Sequence, residues 1–150
     1  MTLAEQVASV RRTIHRLFTR RLSRRTDRPL TQMLALKAID RGEVKSQAAL
    51  AERLLVDAPA VSRLVDRLVE DGLLERSAGE DRRCVRLEVT KAGRKEVAIY
   101  HAELERLESE VRKHLTAQEV KTLQQLLHKL QAGMLQTGDA SSAEDQQAHG

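Results

Sequence analysis

The spacing of the apolar residues changes after Gly72, and that change restricts the folds available to this chain. Up to Gly72 the apolar side chains recur every three or four residues, as on amphipathic helices. Residues 84–90 instead alternate strictly, with Val85, Leu87 and Val89 on one face of a strand. Together with the short segment 73–76 and the polar stretch 77–83, this alternation predicts one β-hairpin in a mainly α-helical chain.

Capping residues and helix breakers predict the first helices. An apolar stripe runs over residues 3–22, and the sequence Asp-Arg-Pro at 27–29 ends it. Thr31 is the predicted N-cap of a second helix that ends near Gly42. Ser46 is predicted to cap a third helix of about two turns.

The remaining helices are predicted in the same way. Asp57 and Pro59 mark the start of a fourth helix that runs to Asp71, with Gly72 after its end. Thr90 is predicted to cap a fifth helix that reaches about His114. A capping box at 116–119 opens the sixth helix, and the polar residues 137–150 are predicted to form a disordered tail.

Charge is distributed unevenly along the chain. Residues 1–95 hold 21 basic and 13 acidic residues, a net charge of +8, whereas residues 96–150 hold 5 and 9, a net charge of −4. Such asymmetry favours a polyanionic partner for the first part. An arginine-dense stretch lies within it, although a solvated helix face explains that stretch equally well: Arg11, Arg12, Arg16, Arg20, Arg21, Arg24, Arg25 and Arg28.

Composition excludes several classes of protein. One Phe and one Tyr cannot form the stacking platform of a single-strand nucleic-acid binder. The single cysteine, Cys84, excludes a disulfide framework and a Cys-rich zinc module. No apolar run of about 18 residues and no secretory signal is present, so we expect a cytoplasmic protein without a membrane segment.

Two short helices joined by a tight turn and followed by a hairpin with a basic tip are typical of a winged helix-turn-helix, here residues 31–90. On a helical projection of residues 58–71, the apolar positions share one face. Pro59, Ser62, Arg63 and Asp66 lie opposite, with Arg67 beside them. Arg63 is the best candidate for a bidentate contact to guanine, although an ordinary exposed helix face also explains this arrangement.

The predicted hairpin tip carries a second set of candidate DNA contacts. Arg82 and Arg83 project from it, and a narrow minor groove attracts such inserted arginines. Asp81 is suited to orienting one of them through a charge-assisted hydrogen bond.

Several motifs resemble the MarR (multiple antibiotic resistance regulator) family of bacterial transcription factors over about residues 3–135. They are Leu30-Thr31-Gln32, the segments 47–54 and 61–76, the wing motif Asp81-Arg82-Arg83, and Leu87-Glu88-Val89-Thr90-Lys91-Ala92-Gly93. The resemblance implies a single MarR-like domain over 1–150, with six helices and a wing. It also implies a homodimer formed through the first, fifth and sixth helices, here 3–25 and 91–135.

What the resemblance implies for function is sequence-specific binding of double-stranded DNA. Such a dimer would read a pseudo-palindromic operator, and we expect it to act as a repressor. Arg83 is then the first choice for the minor groove and Arg82 the second, while Asp66 is expected to pair with a wing arginine. The candidate DNA-contacting residues are Thr31, Ser46, Gln47, Pro59, Ser62, Arg63, Arg67, Asp81, Arg82 and Arg83.

Family members release DNA when a small ligand enters a cleft beside the dimerisation helices. By resemblance, His15, Arg16, Met33 and Tyr100 are candidate lining residues for an effector of unknown identity, and simple packing or solvent exposure is the alternative for each. Cys84 lies next to arginines, which favour its thiolate, so its oxidation is a second possible signal. The family's better-known peroxide sensors carry their cysteine in the first helix, where this chain has none.

Other readings are less well supported. The five histidines include no i, i+4 pair and no acidic cluster at ligand spacing, so we expect neither a metal site nor a cofactor. No catalytic motif is present, so we do not expect an enzyme. A winged-helix module that binds a protein and has no DNA target remains the alternative function.

Overall fold

The computed structural model describes residues 1–79 and 85–147, and side chains through residue 138. Within these ranges the chain forms six helices and one two-stranded antiparallel sheet, which confirms the predicted fold class. The elements are α1 (Leu3–Leu22), α2 (Leu30–Asp40), α3 (Gln47–Leu54), α4 (Ala58–Glu70), β1 (Leu74–Ala78), β2 (Val85–Val89), α5 (Lys91–Arg112) and α6 (Ala117–Gln147).

The chain divides into two compact units, Met1–Leu107 and Glu108–Gly150. The first contains α1 to α4, the hairpin and most of α5. The second contains the end of α5 and all of α6. The winged helix-turn-helix elements therefore share one unit with α1.

Four helix starts lie at the capping residues that the sequence predicted. The Ser46 hydroxyl accepts a hydrogen bond from the Ala49 amide at 3.1 Å, and the Asp57 carboxylate accepts one from the Ala60 amide at 2.7 Å. Thr90 accepts from the Gly93 amide at 3.1 Å. Both bonds of the capping box at 116–119 are present at 3.2 Å.

The prediction that Thr31 caps α2 was wrong. The helix begins at Leu30, its N-cap is Pro29, two residues before the predicted cap, and no side chain caps it. The Pro29 carbonyl accepts the first backbone bonds of α2, from Gln32 at 3.1 Å and Met33 at 3.3 Å. The extended conformation of Pro29 (φ −57°, ψ 146°) sets the start of the helix, so the exposed Thr31 lies inside the first turn.

The predicted disordered tail was also wrong over 137–147, where α6 continues to Gln147. A helix satisfies its own backbone hydrogen bonds, so a polar segment can extend one that is already nucleated. The Thr137 hydroxyl donates to the Gly133 carbonyl at 3.0 Å, a local bond compatible with helix continuation. Residues 148–150 lie outside the described part of the chain.

Two apolar clusters form the core of the first unit. The larger joins α2, α3, α4 and the hairpin with Val97 of α5, and Leu36, Leu50, Val65 and Leu68 are completely buried in it. The smaller joins the end of α1 to α2 and α5: Phe18, Leu22, Met33, Tyr100 and Leu107. In this cluster Phe18 and Tyr100 pack edge to face with ring centroids 5.1 Å apart, the arrangement that aromatic pairs favour.

The base of the hairpin is joined to the end of α4 and the start of α5. The Thr90 hydroxyl donates to the Gly72 carbonyl at 2.6 Å, and the Thr90 amide donates to the Leu73 carbonyl at 3.0 Å. A Cβ atom on Gly93 would lie 2.3 Å from the Leu73 oxygen and 2.6 Å from the Val89 side chain. Only glycine therefore fits at this position without displacement of its neighbours.

Across the described ranges, every helix is too short or too polar to span a lipid bilayer.

Candidate nucleic-acid interface

Helix α4 presents the face that the sequence predicted for DNA recognition. Val61, Val65 and Leu68 are buried against the larger core cluster, whereas Pro59 and Arg63 are exposed on the opposite side. The hairpin keeps its predicted alternation only near its base: Leu87 is buried, but Val85, on the same face, is half exposed.

The turn between α3 and α4 begins at Leu55, which caps α3 in a left-handed conformation (φ 56°) and is 91% exposed. Two residues later Asp57 caps α4. The turn thus holds the exposed N-terminal half of α4 directly beyond α3, the arrangement in which a recognition helix enters a major groove.

Arg63 is exposed, and its side chain forms no hydrogen bond or ion pair with any described residue. Its guanidinium group thus keeps all five donors available for an external acceptor. The planar fork of an arginine fits the two acceptors of guanine in the major groove. Ser62, the adjacent residue, is half-buried.

Asp66 pairs with an arginine of the hairpin, as the family resemblance implied. Its partner is Arg76 of β1, which also donates to the Gln47 side chain of α3 at 3.4 Å. One guanidinium group therefore ties both helices of the helix-turn-helix to the hairpin.

A second ion-pair group lies at the end of α4. The Asp71 carboxylate accepts hydrogen bonds from Arg28 at 2.8 Å and from Arg67 at 3.3 Å, and Arg28 also lies 3.8 Å from Glu96 of α5. The hydrogen bond from Arg28 is the main cause that lowers the pKa of Asp71 below its ordinary value. Arg67 is exposed but engaged with Asp71, so a DNA phosphate would share it with that carboxylate.

The remaining predicted DNA contacts differ in their surroundings. Thr31 is exposed at the start of α2, whereas Ser46 and Gln47 are half-buried and hydrogen-bonded as described above. Predicted contacts at the hairpin tip lie outside the described residues, as does the candidate redox residue: Asp81, Arg82, Arg83 and Cys84.

The four candidate effector residues are placed in two different environments. Met33 and Tyr100 belong to the smaller core cluster, where burial raises the pKa of the Tyr100 phenol. His15 and Arg16 instead line an open groove of about 560 Å³ along α1. The described part of the chain therefore does not gather the four residues around one cavity.

Sequence reasoning missed a buried acidic residue and the two arginines that organise the ion-pair groups, Arg28 and Arg76. Glu103 is 4% exposed and pairs with Arg25 at 3.1 Å and Arg106 at 2.6 Å. Its position in the apolar stripe of α5, between Tyr100 and Leu107, was the available signal, because a charge in a buried stripe requires a partner. For the two arginines, no comparable signal exists in the local sequence.

Over the described residues, no cluster of three or more His, Cys, Asp or Glu side chains is arranged to bind a metal ion.

Comparison with known proteins identifies the family. Residues 26–83 match the family model described as MarR family. The reduced form of MarR from E. coli is 32% identical over 87% of this chain and 96% of its own, with a TM-score of 0.72. The oxidised form of MarR from E. coli is 31% identical over 87% and 94%, with a TM-score of 0.73.

A third structure was solved with a nucleic acid. It is a cysteine-to-serine mutant of MarR from E. coli complexed with operator DNA, 32% identical over 85% of this chain and 92% of its own, with a TM-score of 0.70. Identity and coverage at this level, together with the winged helix-turn-helix geometry of α2 to β2, show that this chain belongs to the MarR family of DNA-binding transcriptional regulators.

Proposed function

We propose that this protein is a repressor that binds a pseudo-palindromic operator in double-stranded DNA as a homodimer. The observation that carries the proposal is the exposed face of α4, where Arg63 lacks a partner among the described residues and the opposite side of the helix is buried. A relative of 32% identity was solved with operator DNA, which supports duplex DNA as the target.

Exposed apolar stripes support the homodimer. On α1 the stripe comprises Leu3, Val7, Val10, Ile14 and Leu17, which are between 37% and 63% exposed. On α6 the stripe includes Leu123, Leu127, Leu130 and Met134, which are between 37% and 67% exposed. Stripes with this 3–4 spacing are typical of helix–helix seams, and their exposure in a single chain favours a second copy as the partner.

The operator is best identified by selecting bound fragments from a random duplex library. A homodimer should enrich a pseudo-palindrome whose half-sites are about one helical turn apart. Arg63→Ala should lose about 1–3 kcal/mol of affinity for the selected operator and bind random DNA almost as well as the wild type. Arg86→Ala, which alters an arginine of β2 paired with Glu88, is a suitable control.

A protein-binding winged-helix module without a DNA target is the alternative. It predicts no enriched motif, and any residual DNA binding should depend little on salt. A DNA-binding repressor should instead lose affinity steeply between low and moderate salt, because neutralised phosphates release counterions.

We propose that the regulator is relieved by a small-molecule effector. His15, Arg16, Met33 and Tyr100 remain the candidate contacts, and Tyr100 is the one with an aromatic surface. A screen of small anionic compounds for loss of operator binding tests this proposal, and a compound found in this way should bind Arg16→Gln more weakly than the wild type in the absence of DNA if Arg16 contacts the effector.

Oxidation of Cys84 is the other proposed route of relief. The supporting observations are the arginine-rich sequence around Cys84 and a relative that was solved in reduced and oxidised forms. Operator affinity should fall with added peroxide in the wild type and stay constant in Cys84→Ser. Equal responses of the two proteins would rule out this route.

A further inference from the structure

An arginine-lined groove follows α1 on the side of the helix away from its apolar stripe. Four arginines line this groove of about 560 Å³, and we call them the arginine face: Arg11, Arg12, Arg16 and Arg20. At 3.6 residues per turn, Arg12 and Arg16 project roughly opposite to Ile14 of the stripe. A dimer seam along the stripe therefore leaves Arg12 and Arg16 uncovered.

The guanidinium groups of the arginine face are not neutralised by the protein. None of the four guanidinium groups forms a hydrogen bond or an ion pair with a residue in the described ranges, whereas those of Arg25, Arg28 and Arg67 of the same unit all do. Four adjacent unpaired cations repel each other, and an external polyanion relieves that repulsion.

This groove is continuous with the candidate nucleic-acid interface. It shares Thr19 and Ser23 with a second groove of about 340 Å³ at the end of α1. The second groove shares Asp27, Arg28 and Pro29 with a third groove of about 310 Å³ that reaches Arg67 of α4. The three grooves together are lined by six arginines and only two aspartates. One of the aspartates, Asp71, already forms ion pairs with two of these arginines.

The spacing and chemistry of the arginine face fit a phosphate backbone. Arg12, Arg16 and Arg20 follow one another at about 6 Å along the helix axis, and phosphates recur about every 3.4 Å of axis along each DNA strand. Each arginine can therefore reach a separate phosphate, and its planar fork binds phosphate oxygens bidentately. Both aromatic residues, Phe18 and Tyr100, are buried, so neither is available to stack an unpaired base.

We propose that the arginine face of α1 binds the phosphate backbone of duplex DNA that flanks the operator. This inference rests on the proposed function, since α4 must first place the protein on its operator. The contact is independent of base sequence, so it lengthens the bound site without changing the motif that the protein recognises.

The test compares two duplexes that carry the operator recovered by selection. The short duplex ends at the edges of the motif, and the long duplex extends about one helical turn beyond each edge. The wild type should bind the long duplex about 10- to 100-fold more tightly at low salt. The triple variant Arg12→Gln, Arg16→Gln, Arg20→Gln should bind both duplexes alike, and its salt dependence on the long duplex should fall by about 0.9 per lost phosphate contact.

A matched control removes three cations elsewhere. Lys113→Gln, Lys121→Gln, Lys129→Gln makes the same change in charge at exposed positions of the second unit and should retain the preference for the long duplex. Dimer mass and helix content of both triple variants show whether each has kept its fold.

Three results would overturn the proposal. The first is equal affinity of the wild type for the two duplexes. The second is an arginine triple variant that still binds the long duplex more tightly than the short one. The third is a loss of affinity by that variant that is equal on both duplexes. Failure of the proposed function looks different, because the wild type would then enrich no operator in the selection. Failure of this inference alone leaves the enriched operator and the loss of affinity in Arg63→Ala on the short duplex intact.

Discussion

Two glycines within helices show how strongly the environment decides the effect of one methyl group. At Gly93 an added Cβ would lie 2.3 Å from a backbone oxygen, whereas at Gly133 of α6 it would meet nothing within 4 Å. The first glycine is required by a close approach of two chain segments. The second only weakens a helix by allowing the unfolded chain more freedom.

The same substitution should therefore have opposite effects at these two positions. Gly93→Ala should lower the free energy of unfolding by about 1–3 kcal/mol, because backbone atoms must shift to admit the methyl group. Gly133→Ala should raise it by about 0.5–1 kcal/mol. Urea unfolding of both variants measures these changes, and a stable Gly93→Ala protein would contradict the close approach.

Asp71 should make stability depend on pH in the acidic range. Its pKa is lowered in the folded protein, so its stabilising contribution is present above the unfolded pKa of about 3.9 and is lost as the pH falls through the folded value. The difference in urea midpoint between the wild type and Asp71→Asn should therefore be largest near pH 7 and shrink below about pH 4. A difference that does not depend on pH would contradict the role of the ionised carboxylate.

At the scale of elements, Arg76 joins β1 to α3 and α4 through a pair that is partly exposed. Its side chain is 34% exposed and that of Asp66 is 58% exposed, so the pair should add no more than about 1 kcal/mol to stability. Its larger effect concerns DNA, because removal of Arg76 leaves an unpaired carboxylate on the face that we propose to approach DNA phosphates.

Arg76→Ala should therefore weaken operator binding about 5- to 30-fold while the melting temperature changes little. Adding Asp66→Asn should restore part of the affinity, so that the two substitutions are not additive. A double-mutant cycle on operator affinity measures the coupling. Additive effects of the two substitutions would show that the pair does not shape the interface.

Sequence reasoning succeeded where the determinants of an element are local. Ser46, Asp57 and Thr90 cap helices through bonds to residues three positions away, so short sequence windows contain the whole signal. Thr31 also fits the preferences of an N-cap, but the geometry of Pro29 decides where α2 begins. The end of α6 was missed because polar composition was taken as a sign of disorder, although helical hydrogen bonds need no apolar partner.

The ion pairs of the interface could not be predicted in the same way. Arg28 and Asp71 are 43 residues apart in the sequence, and the residues around either one do not indicate that the other is its partner. The exposed face of α4 was predictable, since helical periodicity alone separates Arg63 from Val61 and Val65. The partners that fix this helix depend on tertiary packing, and the pairing of Asp66 with a hairpin arginine was expected only through the family resemblance.

At the scale of the whole molecule, the exposed stripes of α1 and α6 favour a symmetric dimer. In a two-fold interface each substitution occurs twice, so Leu127→Asp introduces two carboxylates into the proposed seam. We expect it to raise the dimer dissociation constant by at least about 100-fold. Sedimentation equilibrium measures the change.

Gln125→Asp is the matched control for the dimer, since it adds the same charge on nearly the opposite side of α6. It should leave the dimer intact. If both variants remain dimeric, the seam lies elsewhere, and if both dissociate, general charge repulsion rather than the seam explains the effect.

The joint at Thr90 has a consequence for how this fold can vary in length. β2 ends at Val89 and α5 begins at Lys91, and the one residue between them is bonded to Gly72 and Leu73, which follow α4, through its hydroxyl and its amide. An inserted residue would rotate the first turn of α5 by about 100° and move Gly93 away from the carbonyl it packs against. Insertions that lengthen the wing are therefore expected at its tip, and its base should accept none.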